Sequence, residues 1–195
     1  MDIATLKAKG IVRAHSARTP ICARFPFGLA QAGVHELAEA CFGDMPALTG
    51  FTLAAYAEGG GANRAGAILW VTQARLGLEH GCVPDSALRA FSAHHTHRLV
   101  VQPAKLSDAL WTIEEAIASS AVSLIVAEVS GADFTATRRL ALASGRHGVP
   151  VILLMPYGRE GATAAQARWR ITSKPSAPNR YDPRAPGTPR WHATL

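Results

Sequence analysis

The sequence is poor in cysteine and has no long apolar run. Its three cysteines, Cys22, Cys41 and Cys82, are odd in number and widely spaced, which argues against a disulfide framework and a Cys-x-x-Cys zinc site. No apolar run approaches the roughly 20 residues that cross a bilayer, and the first ten residues lack the apolar core of a signal peptide. We therefore expect a cytoplasmic protein without a membrane segment.

The sequence also lacks the residues that bind a nucleoside triphosphate. A phosphate-binding loop needs glycines, a Lys that reaches the outer phosphates, and a Ser or Thr hydroxyl for Mg²⁺. The strand, loop and helix order between Val34 and Glu58 matches such a loop, but residues 38–51 contain no Lys or Arg. Glu39 and Asp44 would repel phosphates, and Thr49 alone could serve Mg²⁺. We expect no bound cofactor.

No other catalytic group stands out. His94, His95 and His97 lie close together, with Cys82 as the nearest other soft ligand. Neighbouring loop histidines usually point in different directions, so the pattern favours a surface turn over a metal site. The chain also offers no recognisable nucleophile and no paired carboxylates at a catalytic spacing, which indicates a protein that is not an enzyme.

The most regular part of the sequence predicts a buried parallel sheet. Val122–Val129 and Val149–Met155 are nearly unbroken apolar runs of strand length, separated by a helix-length segment that ends at Gly148. This is the pattern of two parallel strands joined by a helical crossover. A helix precedes them, with apolar residues on one face. We place six residues at the centre of the sheet: Leu124, Ile125, Val126, Val151, Ile152 and Leu153.

The remaining elements follow from periodicity and turn residues. We predict strands at Val34–Leu37, Ala67–Thr72, Arg98–Gln102, Ala167–Thr172 and Pro189–Leu195, and helices at Pro46–Glu58, Gln73–Glu79, Pro84–His94 and up to His147. The last two strands could pair with each other. In the helix that ends at His147, Asp133 or Thr135 should cap the start and Phe134, Leu140, Leu142 and Ala143 should face the interior.

The length of 195 residues suits one α/β domain. We expect an irregular or helical N-terminal segment over residues 1–27 and one domain over residues 28–195. This domain includes a proline-rich loop at 173–189.

Charge is distributed unevenly along the chain. Residues 34–128 contain five Lys or Arg against ten acids, whereas residues 129–195 contain ten against three. A basic segment of this kind can contact a polyanion, DNA above all, or it can be a solvated face. The candidate binding residues are Arg138, Arg139 and Arg146 on one helix, and Arg168, Arg170 and Lys174 on or beside one strand.

Several segments together resemble a known family. They are GLAQAGVHEL from Gly28, LWTIEEAIASSAVSLIVAE from Leu110, TATRRLALASGRHGVP from Thr135, and ARWRITSKPSAP from Ala167 with a late PRW. This set resembles the ImuA family of damage-inducible bacterial mutagenesis proteins, which is RecA-like and related to the division inhibitor SulA. The resemblance runs from about Gly28 to the C-terminus.

The resemblance implies a fold and a degenerate nucleotide site. The fold is a RecA-like core: a mostly parallel, helix-covered β-sheet with a C-terminal antiparallel extension. Glu128 occupies the place of the Mg²⁺-side acid of a RecA-type ATPase, and Glu36 stands at the end of the entry strand. Together with Thr49, these are vestigial nucleotide-site positions, since the Gly-Lys-Thr/Ser signature is absent.

The resemblance also implies partners. ImuA proteins are associated with ImuB, a catalytically inactive homologue of Y-family polymerases, and with an error-prone C-family DNA polymerase, in a translesion complex of the SOS response to DNA damage. The chain would be an accessory in this complex; direct DNA contact and self-association stay open. The alternatives are a SulA-like inhibitor of a division GTPase and an ATPase with an atypical phosphate loop.

Overall fold

The computed structural model describes residues 25–60, 66–91 and 97–195. These residues form one seven-stranded sheet and five helices. The strands are β1 Gly33–Glu39, β2 Ala67–Thr72, β3 Arg98–Val101, β4 Val122–Glu128, β5 Pro150–Met155, β6 Ala167–Lys174 and β7 Arg190–Thr194. The helices are α1 Met45–Glu58, α2 Ala74–His80, α3 Asp85–Phe91, α4 Leu106–Ser119 and α5 Phe134–His147.

The sheet is parallel except at one edge. Its strand order is β3-β2-β4-β5-β1-β6-β7, and every neighbouring pair is parallel apart from β6 and β7. This confirms the predicted fold class, including the antiparallel extension formed by the last two strands. Within the described residues, the predicted strands and helices all exist, with shifts of a few residues at their ends. For example, β1 continues two residues past Leu37 to Glu39, and β6 continues two residues past Thr172 to Lys174.

The centre of the sheet is buried on both faces, as the apolar runs predicted. All residues of β1, β4 and β5 are buried, and the six residues placed at the centre are fully inaccessible to water. Successive side chains of each strand point to opposite faces, so two separate apolar cores form. We call the face that α1 covers the front face and the opposite one the back face.

The front core contains most of the aromatic residues. Phe51 of α1 contacts Trp169 of β6 and Trp191 of β7, with ring centroids 5.7 and 6.2 Å apart. Phe25 and Phe27, which precede β1, contact the rings of Phe51 and Trp169. These contacts hold α1 over the β1–β6–β7 side of the sheet.

The back core is closed by α4 and α5. Ile113 and Ile117 of α4 and Leu140 of α5 are fully buried there. Asp133 caps α5 as predicted, because its carboxylate accepts a hydrogen bond of 2.7 Å from the Ala136 N–H.

The prediction that Phe134 and Leu142 face the interior is wrong. Their exposed fractions are 46% and 60%. Thr137 and Ser144 occupy the inward positions instead. The Ser144 hydroxyl accepts a hydrogen bond from the Gly33 N–H at 2.6 Å, and the Thr137 hydroxyl accepts one from the Ala164 N–H at 3.0 Å. Two small hydroxyl residues therefore dock this helix by satisfying buried backbone groups.

Some predictions fall outside the described residues. These include most of the predicted segment 1–27 and the His94–Thr96 part of the histidine cluster. Within the described part of the chain, no group of three or more His, Cys, Asp or Glu could hold a metal ion. No helix among the described residues is long and apolar enough to cross a membrane.

Truncation of Ile125 to Ala tests the two-sided burial of β4. Ile125 is fully buried in the back core, so the variant should lose about 2–5 kcal/mol of unfolding free energy through lost transfer energy and the cavity that forms. Urea unfolding followed by circular dichroism measures this loss. Leu142→Ala is the matched control and should change stability by less than about 0.5 kcal/mol, since that side chain is mostly exposed. Equal stability of Ile125→Ala and wild type would contradict the assignment.

His35 in β1 should make stability depend on pH. Burial lowers the pKa of His35 to about 4, against about 6.5 in an unfolded chain. As pH falls below 6.5, His35 becomes protonated in the unfolded state, whereas in the folded state it stays neutral until about pH 4. His35 should therefore cost about 2 kcal/mol of stability between pH 7 and pH 5. Urea unfolding at both values should show a smaller difference in His35→Gln than in wild type. The exposed control His192→Gln should keep the full difference, and an unchanged difference in His35→Gln would contradict the prediction.

Candidate functional site

The back face of the sheet is uncovered at one edge. Helix α4 packs against β2 and β4, and α5 packs against β1 and β5. The connection from β5 to β6, residues 156–166, contains no helix. The back face of β6 and β7 is therefore open to water, and the side chains that point to it are exposed or half-buried.

The open face is strongly basic. Arg168, Arg170 and Lys174 alternate along β6 with Trp169 and Ile171, whose side chains are buried on the front face. Antiparallel pairing places Arg190 of β7 beside Lys174, His192 beside Thr172, and Thr194 beside Arg170. Side chains paired in this way lie on the same face, with Cβ atoms about 5 Å apart. We call the set Arg168, Arg170, Lys174, Arg190 and His192 the basic face.

A buried carboxylate anchors one end of the basic face. Glu36 of β1 is only 1% exposed and points to the back face. Its Oε1 accepts a hydrogen bond from Arg168 at 3.1 Å and lies 3.7 Å from Nε of Arg159, in the β5–β6 connection. One carboxylate thus fixes two guanidinium groups, which leaves this cluster with a net positive charge.

The cluster borders a cavity of about 410 Å³. Arg159, Arg168, Arg170 and Thr194 line it, together with Glu36 and Glu160. Arg170, Lys174 and Arg190 form no ion pair with any carboxylate that the structure describes. Of these three, Arg170 lines the cavity, and Lys174 and Arg190 lie side by side farther along the same face. Unpaired cations on one face can bind successive phosphates of a nucleic acid, because phosphates are the groups that Arg and Lys neutralise at such surfaces.

The three arginines of α5 do not form one patch with β6. Arg139 donates a hydrogen bond of 2.5 Å to Glu114 of α4. Arg146 is seven residues later and points to the same side of α5, so it also faces away from β6. Arg138 is rotated by about 100° from Arg139 and points to the other side, where β6 lies beyond β1. Only Arg138 therefore flanks the basic face.

Three residues of this site were not among the predicted binding residues. Arg190 and His192 could have been found from the alternation RWHAT in the last strand, which repeats the pattern of β6. Arg159 lies in a connection without periodicity, so the sequence offers no comparable signal for it.

The three vestigial nucleotide-site positions are separated by the sheet. Thr49 and Glu128 line one front-face cavity of about 310 Å³, between α1 and the end of β4. Glu36 lies on the back face, in the middle of β1 and not at its end, because the strand continues to Glu39. Glu128 ends its strand as expected but is only 3% exposed, so it does not face solvent.

The short loop between β1 and α1 is folded around its own carboxylate. Asp44 Oδ2 accepts a hydrogen bond from the Cys41 N–H at 3.2 Å. Its Oδ1 accepts hydrogen bonds from the Ser173 N–H at 3.0 Å and the Ser173 hydroxyl at 2.8 Å. Burial alone would raise the pKa of Asp44, but these hydrogen bonds, with one from Thr172, lower it below its usual value. An anion is thus already present where a phosphate loop would hold phosphate.

Glu128 is held in a different way. Burial raises the pKa of Glu128, while a hydrogen bond of 2.7 Å from the Trp70 indole, the charge of His80 and the hydroxyl of Thr72 partly oppose the increase. No Lys or Arg that the structure describes lines this cavity. A buried acid without an Arg or Lys beside it is unsuited to a triphosphate, whose negative charge would need to be neutralised.

Comparison with known proteins relates the chain to one family. In an alignment of 99 residues, the chain is 36% identical to protein ImuA from two strains of Caulobacter vibrioides. Over this segment the chain is similar to ImuA. This confirms the resemblance that the sequence motifs indicated, and it supports membership in the ImuA family. No family model matches the chain.

The match to ImuA is partial. It covers 46% of this chain and 40% of each ImuA protein, so the chain matches less than half of the length of these curated relatives.

Replacing Glu36 with Gln tests the anchoring cluster. The variant removes the charge that compensates Arg159, whose side chain is only 13% exposed. It should lose about 2–3 kcal/mol of stability, less than for a fully buried pair because Arg168 remains in contact with water. The matched control is Glu114→Gln, which breaks the surface pair with Arg139 and should cost less than about 1 kcal/mol. Equal losses in urea unfolding would show that the Glu36 cluster has no special role.

Proposed function

We propose that this ImuA homologue is a non-catalytic accessory protein of damage-induced translesion DNA synthesis, and that it contacts DNA through the basic face. The observation that carries the proposal is the row of unpaired cations on β6 and β7, on the part of the sheet that no described helix covers. Its homology to ImuA supplies the biological context, damage-inducible mutagenesis.

The shape of the basic face favours single-stranded DNA. Alternate side chains of a strand are spaced by two residues, about 6.6 Å, so Arg168, Arg170 and Lys174 form a line along β6. Arg190 and His192 form a second line on β7. Two narrow rows of cations can follow one phosphate backbone, and none of the described helices lies on this part of the sheet to enter a DNA groove. Such binding would be electrostatic and largely independent of base sequence.

Several observations support a role without ATP hydrolysis. The β1–α1 loop contains the buried anion of Asp44 and no cation, and its Cys41 N–H is already bonded to that anion. Phosphoryl transfer depends on cations that stabilise charge on the transferred phosphate. The RecA-like core that we infer from the resemblance would then serve as a scaffold.

The proposed partners come from the resemblance. We infer that the chain assists the assembly of an ImuB-like homologue of Y-family polymerases and an error-prone C-family DNA polymerase on damaged DNA in the cytoplasm. A second surface is available to these proteins, since DNA on the back face of β6 and β7 leaves the outer surfaces of α1 and the α2–α3 connection free.

Loss of the cations should weaken DNA binding and reduce its salt dependence. The test variant is Arg170→Ala/Lys174→Ala/Arg190→Ala, and the matched control is Arg75→Ala/Arg89→Ala/Arg146→Ala, which removes the same charge elsewhere on the surface. Fluorescence anisotropy with labelled oligo-dT should show at least a tenfold loss at low salt for the first variant. The slope of log K against log salt should fall by about 2, since each lost phosphate contact removes about 0.7.

The control variant should bind within twofold of wild type. Equal weakening by both variants would mean that only net charge matters, and it would contradict a defined site. If the basic-face variant bound DNA normally but no longer captured an ImuB-like partner from damaged cells, the basic face would be assigned to that protein.

ATP should neither bind measurably nor be hydrolysed by the purified protein. The physical reason is the absence of a cation in the loop that contains Asp44. Titration calorimetry with ATP and Mg²⁺ should give no heat above dilution, and phosphate release should stay at background. Turnover that disappears in Glu128→Gln would show that an atypical ATPase site is present.

A further inference from the structure

The front-face cavity that contains Glu128 has features of a binding site. It lies outside the carboxyl end of β4, between α1 and the α2–α3 connection, and has a volume of about 310 Å³. Open α/β sheets commonly bind ligands in crevices at the carboxyl ends of their strands. The volume is at the lower limit for small-molecule pockets and suits one large side chain.

The charge of the cavity determines what it can accept. Among the described residues that line it, Glu128 is the only acid, and the other titratable groups are His80 and Cys82. Glu128 forms no ion pair with any residue that the structure describes. An anionic ligand is therefore disfavoured, whereas a cationic group would compensate a buried carboxylate that is hydrogen-bonded to the Trp70 indole but forms no ion pair.

The walls of the cavity are apolar. Met45, Pro46 and Leu53 of α1 form one side, and Val83, Pro84 and Ala87 form the other. Arg and Lys side chains combine an apolar stem with a charged end. The stem can contact the apolar walls of the cavity while the charged end reaches the Glu128 carboxylate.

We propose that this cavity receives an arginine or lysine side chain of a partner protein, with the stem between α1 and the α2–α3 connection and the charged end at Glu128. A protein is favoured over a free amine because Phe42 lies three residues before Met45, in the β1–α1 loop, and is 78% exposed. Met45 lines the cavity, so the loop that carries Phe42 leads directly into its wall. In a protein interface, a buried anchor is surrounded by further contacts, which an exposed apolar side chain on this loop could supply. The proposal is independent of the DNA contact, which uses the opposite face of the sheet.

The charge preference is tested with N-acetyl-arginine amide and its neutral isostere, N-acetyl-citrulline amide. The readout is the NMR signal of the Trp70 indole N–H, which is bonded to Glu128 and can be assigned from Trp70→Phe. In wild type, arginine amide should shift this signal with at least tenfold higher affinity than citrulline amide. Equal affinities would overturn the proposal, and so would a larger shift with ATP. This comparison needs no cavity variant, so it stands even if Glu128 is required for folding.

Glu128→Gln should remove the preference for arginine, while the matched control Glu79→Gln, an exposed acid of α2, should keep it. Retention of the preference in Glu128→Gln would also overturn the proposal.

The choice of a protein partner is tested with short peptides. A peptide in which arginine is followed by leucine should bind several times more tightly than one in which serine follows. Phe42→Ser should remove this gain without changing the affinity for arginine amide. If the wild type bound both peptides with equal affinity, the proposal of a protein partner would be overturned and the cavity would be assigned to a free amine.

Discussion

The connection between β5 and β6 determines the layout of this protein. Parallel strands need long crossovers, and a helix in the crossover normally covers the sheet. Here residues 156–166 cross behind β1 without a helix, so α5 is the last helix on the back face. The connection is held by polar contacts instead: Tyr157 donates its N–H to Glu39, Arg159 lies beside Glu36, and Ala164 donates to Thr137. The strands added after it have one buried face and one open face.

This arrangement explains the residue pattern of the C-terminal strands. Most front-face positions of β6 and β7 are apolar or aromatic, and Trp169 and Trp191 pack on α1 there. Back-face positions meet water and can carry charge, which in this chain is positive. Glu36 lies at the margin between the covered and open parts of the back face. Glu36 is buried, yet its carboxylate bonds to Arg168 on the open part of the back face. This contact links the stability of the core to the orientation of the Arg168 guanidinium.

On the front face, the order of strand, loop and helix is that of a phosphate-binding loop, but the residues of the loop differ. The strand, loop and helix order is present, but the loop is closed by Asp44, which ties α1 to Ser173 of β6. The carboxylate therefore serves as a structural clamp between the helix start and the C-terminal extension. The adjacent cavity contains Glu128 and no described Lys or Arg, a charge distribution that disfavours phosphate.

The sequence was most informative where burial decides the residue type. The apolar runs of β4 and β5 predicted the parallel core, and the alternation around Trp169 predicted the two-faced strand β6. It was least informative for α5, where Thr137 and Ser144 are buried because they bond to backbone groups of distant segments. The candidate site was predicted in part: Arg168, Arg170 and Lys174 share one face, but Arg139 pairs with Glu114. Arg159 depends on a tertiary contact with Glu36, which no local pattern reveals.

Hydrogen exchange of the backbone amides, measured with and without oligo-dT, tests the central claim most directly. DNA bound on the back face should slow exchange in β6, in β7 and around Arg159, and it should leave α1 and the α2–α3 connection unchanged. Protection confined to the front face or to α4 and α5, with β6 and β7 unaffected, would contradict the account.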